Sequence, residues 1–160
     1  MIVKSKPMKS LLILFAGIIL LIPACERQEN TGKEIEFCLI GQGDLTGNGA
    51  ENIPKGNFVI SQSASWTEWL EKMNTVNRVS DQFTETDIDF SRYVLLACFD
   101  EIKTTGGYKR EITRIIETED EIEVYVKTNF PGYAAPAVMT QPFIIVKIEK
   151  TPKPIVFFEE

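Results

Sequence analysis

The feature that most limits the fold of this chain is a run of apolar, strand-like segments in its second half. Tyr93-Val-Leu-Leu-Ala-Cys-Phe99 is nearly all apolar, as expected of a central strand covered on both faces. Tyr108–Ile116 alternates around Tyr108, Ile112 and Ile116, and Glu119-Asp120 marks a tight turn. Ile122, Val124 and Val126 share one face of the next strand, and Ile144, Val146 and Ile148 share one face of Phe143–Lys150. Ile155–Phe158 closes the series after Thr151-Pro-Lys-Pro154. Short links between consecutive strands imply antiparallel neighbours.

Upstream, the pattern is mixed. Ile35–Ile40 and Asn57–Ser61 read as strands, separated by a glycine-dense loop, Gly41–Gly49. Trp66, Trp69, Leu70 and Met73 follow a 3.6-residue period behind Ser65-Trp-Thr-Glu68, which has the form of a capping box. Two tryptophans on such a stripe are expected to pack onto a sheet. Asn77–Asp87 is polar and loop-like. The fold class is therefore mainly β (α+β): a single antiparallel-sheet domain, sandwich- or barrel-like, with one packed amphipathic helix.

The first residues read as an address. Lys4, Lys6 and Lys9 precede a 12-residue apolar run, Leu11–Ile22, ending at Pro23-Ala24-Cys25. A positive segment, a short apolar segment and a small residue at the break describe a secretory signal peptide, and a membrane-spanning helix needs about 20 apolar residues. Ile22-Pro-Ala-Cys25 also resembles a bacterial lipobox, which implies cleavage before Cys25 and acylation of that residue (palmitate or a related chain). The expected organisation is a lipoprotein signal peptide over 1–24, a flexible tether over 25–34 and a β-rich domain over 35–160. Loss of residues 1–24 removes three lysines and no acids, taking the formal charge from −6 to −9. So acidic a module is repelled by anionic lipid, so acyl chains would do the anchoring.

Composition excludes several chemistries. No histidine is present, so a Ser-His-Asp triad, a Cys-His dyad and His-ligated zinc or haem are unavailable to this chain. An acidic chain without a basic stripe does not suit nucleic acid. Asp44-Leu-Thr-Gly-Asn-Gly49 opens like a calcium loop, yet Lys55 stands where a bidentate acid is required, so a glycine turn is expected. Asp87 and Asp89 flank Ile88 just before a strand and read as turn caps rather than a catalytic pair. In an exported protein Cys38 and Cys98 could form one disulfide, but both lie in apolar runs, where buried free thiols are the favoured reading, with the Cys98 pKa raised. No cofactor, metal or catalytic residue is expected.

Two segments carry functional signal. Lys103-Thr-Thr-Gly-Gly-Tyr108 sets two glycines and an aromatic ring at a strand rim. Asn129–Pro142 is a long, proline-rich apolar loop, and loops of this length in a domain are often functional. Thr105, Gly106, Gly107, Tyr108, Phe130, Tyr133 and Met139 are the candidate partner-binding residues, on one edge. Cys25 is the candidate lipid-attachment residue.

Asp89-Phe90, the apolar strand that follows, Thr105-Gly-Gly-Tyr108, the Pro131 loop, Gln141-Pro142-Phe143 and Val146-Lys147-Ile148 together resemble the C-terminal domain of the protease-complex subunit PrcB family. The pattern covers about residues 89–158. The family is named for a lipoprotein component of a cell-surface protease complex. The resemblance implies a non-enzymatic accessory subunit in the cell envelope, with a protein partner such as a protease, on the outer membrane if the host is Gram-negative. An alternative from another class is a protease inhibitor. Thr104-Thr-Gly-Gly-Tyr108 partly resembles the inserting loop of chagasin-like inhibitors, but Lys103 and Ile102 depart from that pattern and an extra Gly precedes the aromatic.

Overall fold

Strand β4 (Tyr93–Phe99) has its apolar character because both of its faces are covered. In the computed structural model, which describes residues 32–130, 132 and 135–160, it lies inside the four-stranded sheet β2-β7-β4-β3. Its partners there are β2 (Cys38–Leu45), β3 (Gly56–Ile60) and β7 (Gln141–Glu149). A second four-stranded sheet has the order β1-β5-β6-β8, from β1 (Lys33–Glu34), β5 (Lys109–Glu117), β6 (Ile122–Asn129) and β8 (Ile155–Glu159). Helix α1 (Ser63–Met73) covers the free face of the first sheet.

Two cores result from these three layers. Val94, Leu96, Ile144, Val146 and Ile148 meet Ile115, Ile122, Val124 and Val126 between the sheets. On the other side Leu95, Phe99, Phe143 and Ile145 meet Trp66 and Met73 of the helix. Trp66 is only 3% exposed, donates its Nε1 to the Thr86 carbonyl at 2.8 Å and stacks on Phe83. Trp69 is half-buried and stacks on Phe99 with ring centroids 5.2 Å apart. The tryptophan stripe thus packs on the sheet, as its period predicts.

Several local expectations are corrected. The helix begins at Ser63 with Gln62 as its N-cap, and no side chain caps it, so Ser65 and Glu68 form no capping box. Trp66 N–H already reaches Gln62 C=O at 3.0 Å, which places the first turn ahead of Ser65. Gly41 and Gly43 belong to β2 rather than to a loop. At Gly41 a Cβ would sit 2.4 Å from the Phe83 ring, so the glycine permits close approach within the strand. A bulge between Ile112 and Arg114 shifts the phase of β5, which buries Ile115 and turns Ile116 partly outward. Cys38 is exposed; Cys98 is buried, and both are free. Strand β8 runs parallel to β6, because the chain leaves for β7 in the other sheet before returning. Lys33 and Glu34, assigned to the tether by composition, pair with Glu117 and Ile116.

Registers give the sandwich two distinct ends. Lys33 pairs with Glu117 where β5 finishes, while Lys109 pairs with Asn129 where it starts. In the other sheet Cys38 pairs with Lys147 at the first end, and Leu45 with Gln141 at the second. The segments 46–55 and 100–108, Phe130, residues 135–140 and Glu160 all belong to the second end, the loop end. The described chain begins at the first, the tether end.

Candidate protein-binding site

At the loop end, polar side chains cross between the sheets where the strands finish. Asp100, immediately after β4, is buried. Its Oδ1 accepts from the Glu101 N–H at 2.7 Å and lies 3.2 Å from Lys55 Nζ. Its Oδ2 accepts from Thr128 Oγ1 at 2.8 Å and lies 3.2 Å from Lys103 Nζ. Burial drives the carboxyl upward, but these donors outweigh it and hold the pKa near about 2. Gln141 Nε2 donates to the carbonyls of Ile53 (3.0 Å) and Asp100 (2.9 Å), tying three chain segments together.

Arg110 is the other fixed point. Its guanidinium is 2% exposed and forks onto Glu159, at 2.7 Å and 2.5 Å. It also donates to Thr128 Oγ1 at 3.0 Å and to Asn57 Oδ1 at 3.2 Å. Burial opposes its charge, and Glu159 more than compensates, so its pKa is raised. Sequence reasoning missed this network. A signal did exist, because Arg110 shares the phase of Ile112 and so points inward.

The two functional loops rest on this frame and meet. Lys103 and Thr140 form an antiparallel bridge, with backbone hydrogen bonds of 2.7 Å and 3.1 Å. Gly106 is buried, and its N–H donates to the Pro136 carbonyl at 2.9 Å. A Cβ there would lie 2.9 Å from Val138 Cγ1, so the glycine lets the two loops approach closely. Gly107 has φ +85°, the left-handed region that favours glycine. Lys103 Nζ stands 5.1 Å over the Tyr108 ring, and Tyr108 meets Phe130 edge-to-face at 5.4 Å. Thr105 and Tyr108 are half-buried. Phe130 is 69% exposed, and Ile102, Val138 and Met139 are also exposed. These account for four of the eight large apolar residues exposed among the described residues. Tyr133, of the same candidate set, and Cys25 lie outside the described residues.

Other readings of the sequence resolve simply. Asp44 ends within β2, and the loop beyond turns at Asn48 and Gly49, both with positive φ. Glu51 folds back so that its Oε1 accepts from the Gly47 N–H at 2.8 Å. Asp89 Oδ1 accepts from the Ser91 hydroxyl at 2.5 Å and the Ser91 N–H at 3.0 Å, which lower its pKa; it is a turn cap. Burial pushes the Cys98 thiol up to about 12. Among the described residues no three Cys, Asp or Glu side chains converge as a metal site.

The model of the family described as PrcB C-terminal matches residues 95–149, from β4 through β7 and including both loops. Over this segment, about a third of its length, the chain is similar to PrcB C-terminal domains. No curated protein and no solved structure matches the chain. The PrcB C-terminal match points to association with a protease complex and identifies no partner.

Proposed function

We propose that this chain is an exported lipoprotein, held at the cell envelope by acylated Cys25, that serves a protease complex as a non-catalytic binding subunit. Its contact surface is the edge made by Thr105–Tyr108 and Phe130–Met139. One observation carries the reading: loops from different parts of the sequence converge at Tyr108 and Phe130 and leave the Phe130 ring mostly in water. An apolar cluster so exposed is characteristic of a contact site, and aromatic anchors dominate such contacts. The frame of Asp100 and Arg110 behind it restricts the loops before any partner arrives, which lowers the ordering cost of binding. The anchoring part of the proposal is supported by the Leu11–Cys25 sequence.

The protease-inhibitor alternative has less support. An inserting loop must project, whereas Gly106 is buried against Val138 and Pro136. Purification of the tagged full chain from its native envelope in mild detergent tests the proposal. The expected result is an acyl-modified Cys25 terminus and a co-purifying protease-complex protein. A non-acylated chain that elutes alone, or a chain that blocks a protease by itself, would overturn it.

A further inference from the structure

We propose that the corner between the Leu45–Ile53 turn and the start of β7 binds a calcium ion through the Glu51 carboxylate. Glu51 is 3% exposed. Its Oε1 accepts from the Gly47 N–H at 2.8 Å, and its Oε2, shielded from solvent, meets no donor. Among the described residues no lysine or arginine pairs with it. Lys55, the nearest base in the sequence, is committed to Asp100 at 3.2 Å. The carboxylate fills the space that a side chain at Gly47 would take: a Cβ there would meet both Glu51 oxygens at 2.6 Å and Val76 Cγ2 at 2.5 Å. Val76 follows the carboxyl end of α1, whose dipole places negative potential on that side. A buried carboxylate is costly unless a cation or several donors compensate it, and one N–H does not.

A second oxygen without a donor belongs to the same corner. Gln141 is 3% exposed and donates from its amide to the Ile53 and Asp100 carbonyls. Those two bonds fix which way the amide points and leave Oε1 without a partner. Gln141 pairs with Leu45, just before Gly47, and the Ile53 that it holds lies just after Glu51. Thr46 and Asn48 carry further oxygens on the same turn. Oxygen donors without nitrogen or sulfur suit a hard cation. Calcium accepts such an irregular set with water completing its shell, whereas magnesium demands near-ideal octahedral geometry. The arrangement differs from the calcium loop that Asp44–Gly49 resembles. Asp44 alternates with Leu45, which enters the helix-side core, and so faces the other side of the sheet. Glu51 instead supplies the acid, from a position that such a loop does not use. With a single carboxylate the expected dissociation constant is about 0.1–1 mM.

Isothermal titration calorimetry and urea unfolding test the site, using calcium chloride alone and the full chain purified in detergent and stripped with a chelator. One calcium ion is expected to bind per chain. At calcium of about twenty times the dissociation constant, the folding equilibrium should shift about twentyfold toward the native state. Glu51→Gln keeps an acceptor for the Gly47 N–H and removes the charge. It should bind no calcium and be at least as stable as the calcium-free parent. An amide NMR titration of the unaltered chain gives a readout that stands even if Glu51→Gln does not fold. The Gly47 N–H and the Gln141 side-chain amide should both shift with calcium. No binding up to about 10 mM calcium, well above the expected range, overturns the proposal. So do binding that survives Glu51→Gln, equal binding of magnesium, or shifts confined to other residues. A folded Glu51→Gln chain less stable than the calcium-free parent also overturns it, because the carboxylate would then be compensated already.

Discussion

Glu159→Ala and Arg110→Met remove the two halves of one ion pair, and the structure makes their costs unequal. Arg110 is 2% exposed, whereas the Glu159 side chain is 53% exposed. Truncating Glu159 removes the charged partner of a guanidinium that is otherwise buried and leaves Asn57 and Thr128 as its side-chain acceptors. Stranding one member of a buried pair costs about 3–5 kcal/mol. With two acceptors retained, the lower end, about 3 kcal/mol, is expected here. Arg110→Met retains an apolar stem of similar length and strands only a carboxylate already half in water. Its cost is that of lost hydrogen bonds, about 1–2 kcal/mol. Urea denaturation followed by tryptophan emission reads both, since Trp66 is buried in the helix-side core. For a urea slope of about 2 kcal/mol/M, the midpoint falls by about 1.5 M for Glu159→Ala and by about 0.5–1 M for Arg110→Met. Equal losses, or a larger loss for Arg110→Met, would refute the reasoning that exposure decides which partner is stranded.

Trp66→Ala is expected to cost about 3–5 kcal/mol by chemical denaturation, since the ring is buried on Phe83, while Ser65→Ala costs under about 0.5 kcal/mol because Ser65 caps nothing. Asp100 titrates near about 2 in the folded chain against an ordinary 3.8, so the folded state binds fewer protons in that interval. Its stabilisation is complete above about pH 4 and is lost as pH falls toward 2, and Asp100→Asn should flatten that part of the acid limb in a pH series of unfolding curves. A water-soluble maleimide should label Cys38 in the native protein and reach Cys98 only after unfolding, as read by intact mass.

Periodicity carried the sequence reading where each strand has one environment along its length. The apolar β4 was legible because both its faces are covered, and the stripe of Trp66 and Met73 because the helix packs through one side. The failures are tertiary. Gly41 reads as a loop residue until the Phe83 ring, far along the chain, is placed against it. No composition signals the bulge that exchanges Ile116 for Ile115 in the core. Cys38 lies in an apolar run but on an edge strand, and so reaches solvent. At the candidate site, the residue types of the two loops were legible, and the structure brings Tyr108 and Phe130 together as one edge. The Asp100–Thr128–Arg110–Glu159 frame was not, because its members come from four strand ends whose proximity depends on the registers of both sheets.

The central claim is that the Tyr108–Phe130 edge binds a partner rather than closing a core. It is tested most directly by measuring partner capture from the native envelope with Phe130→Ser alongside the unaltered chain, at matched stability. Phe130 is 69% exposed and makes an edge-to-face contact with Tyr108, so its removal should lower stability by no more than about 1 kcal/mol. The expected result is capture reduced at least about tenfold, the effect of losing roughly 1.4 kcal/mol at a dominant contact. Undiminished capture by a stably folded Phe130→Ser chain would contradict the claim.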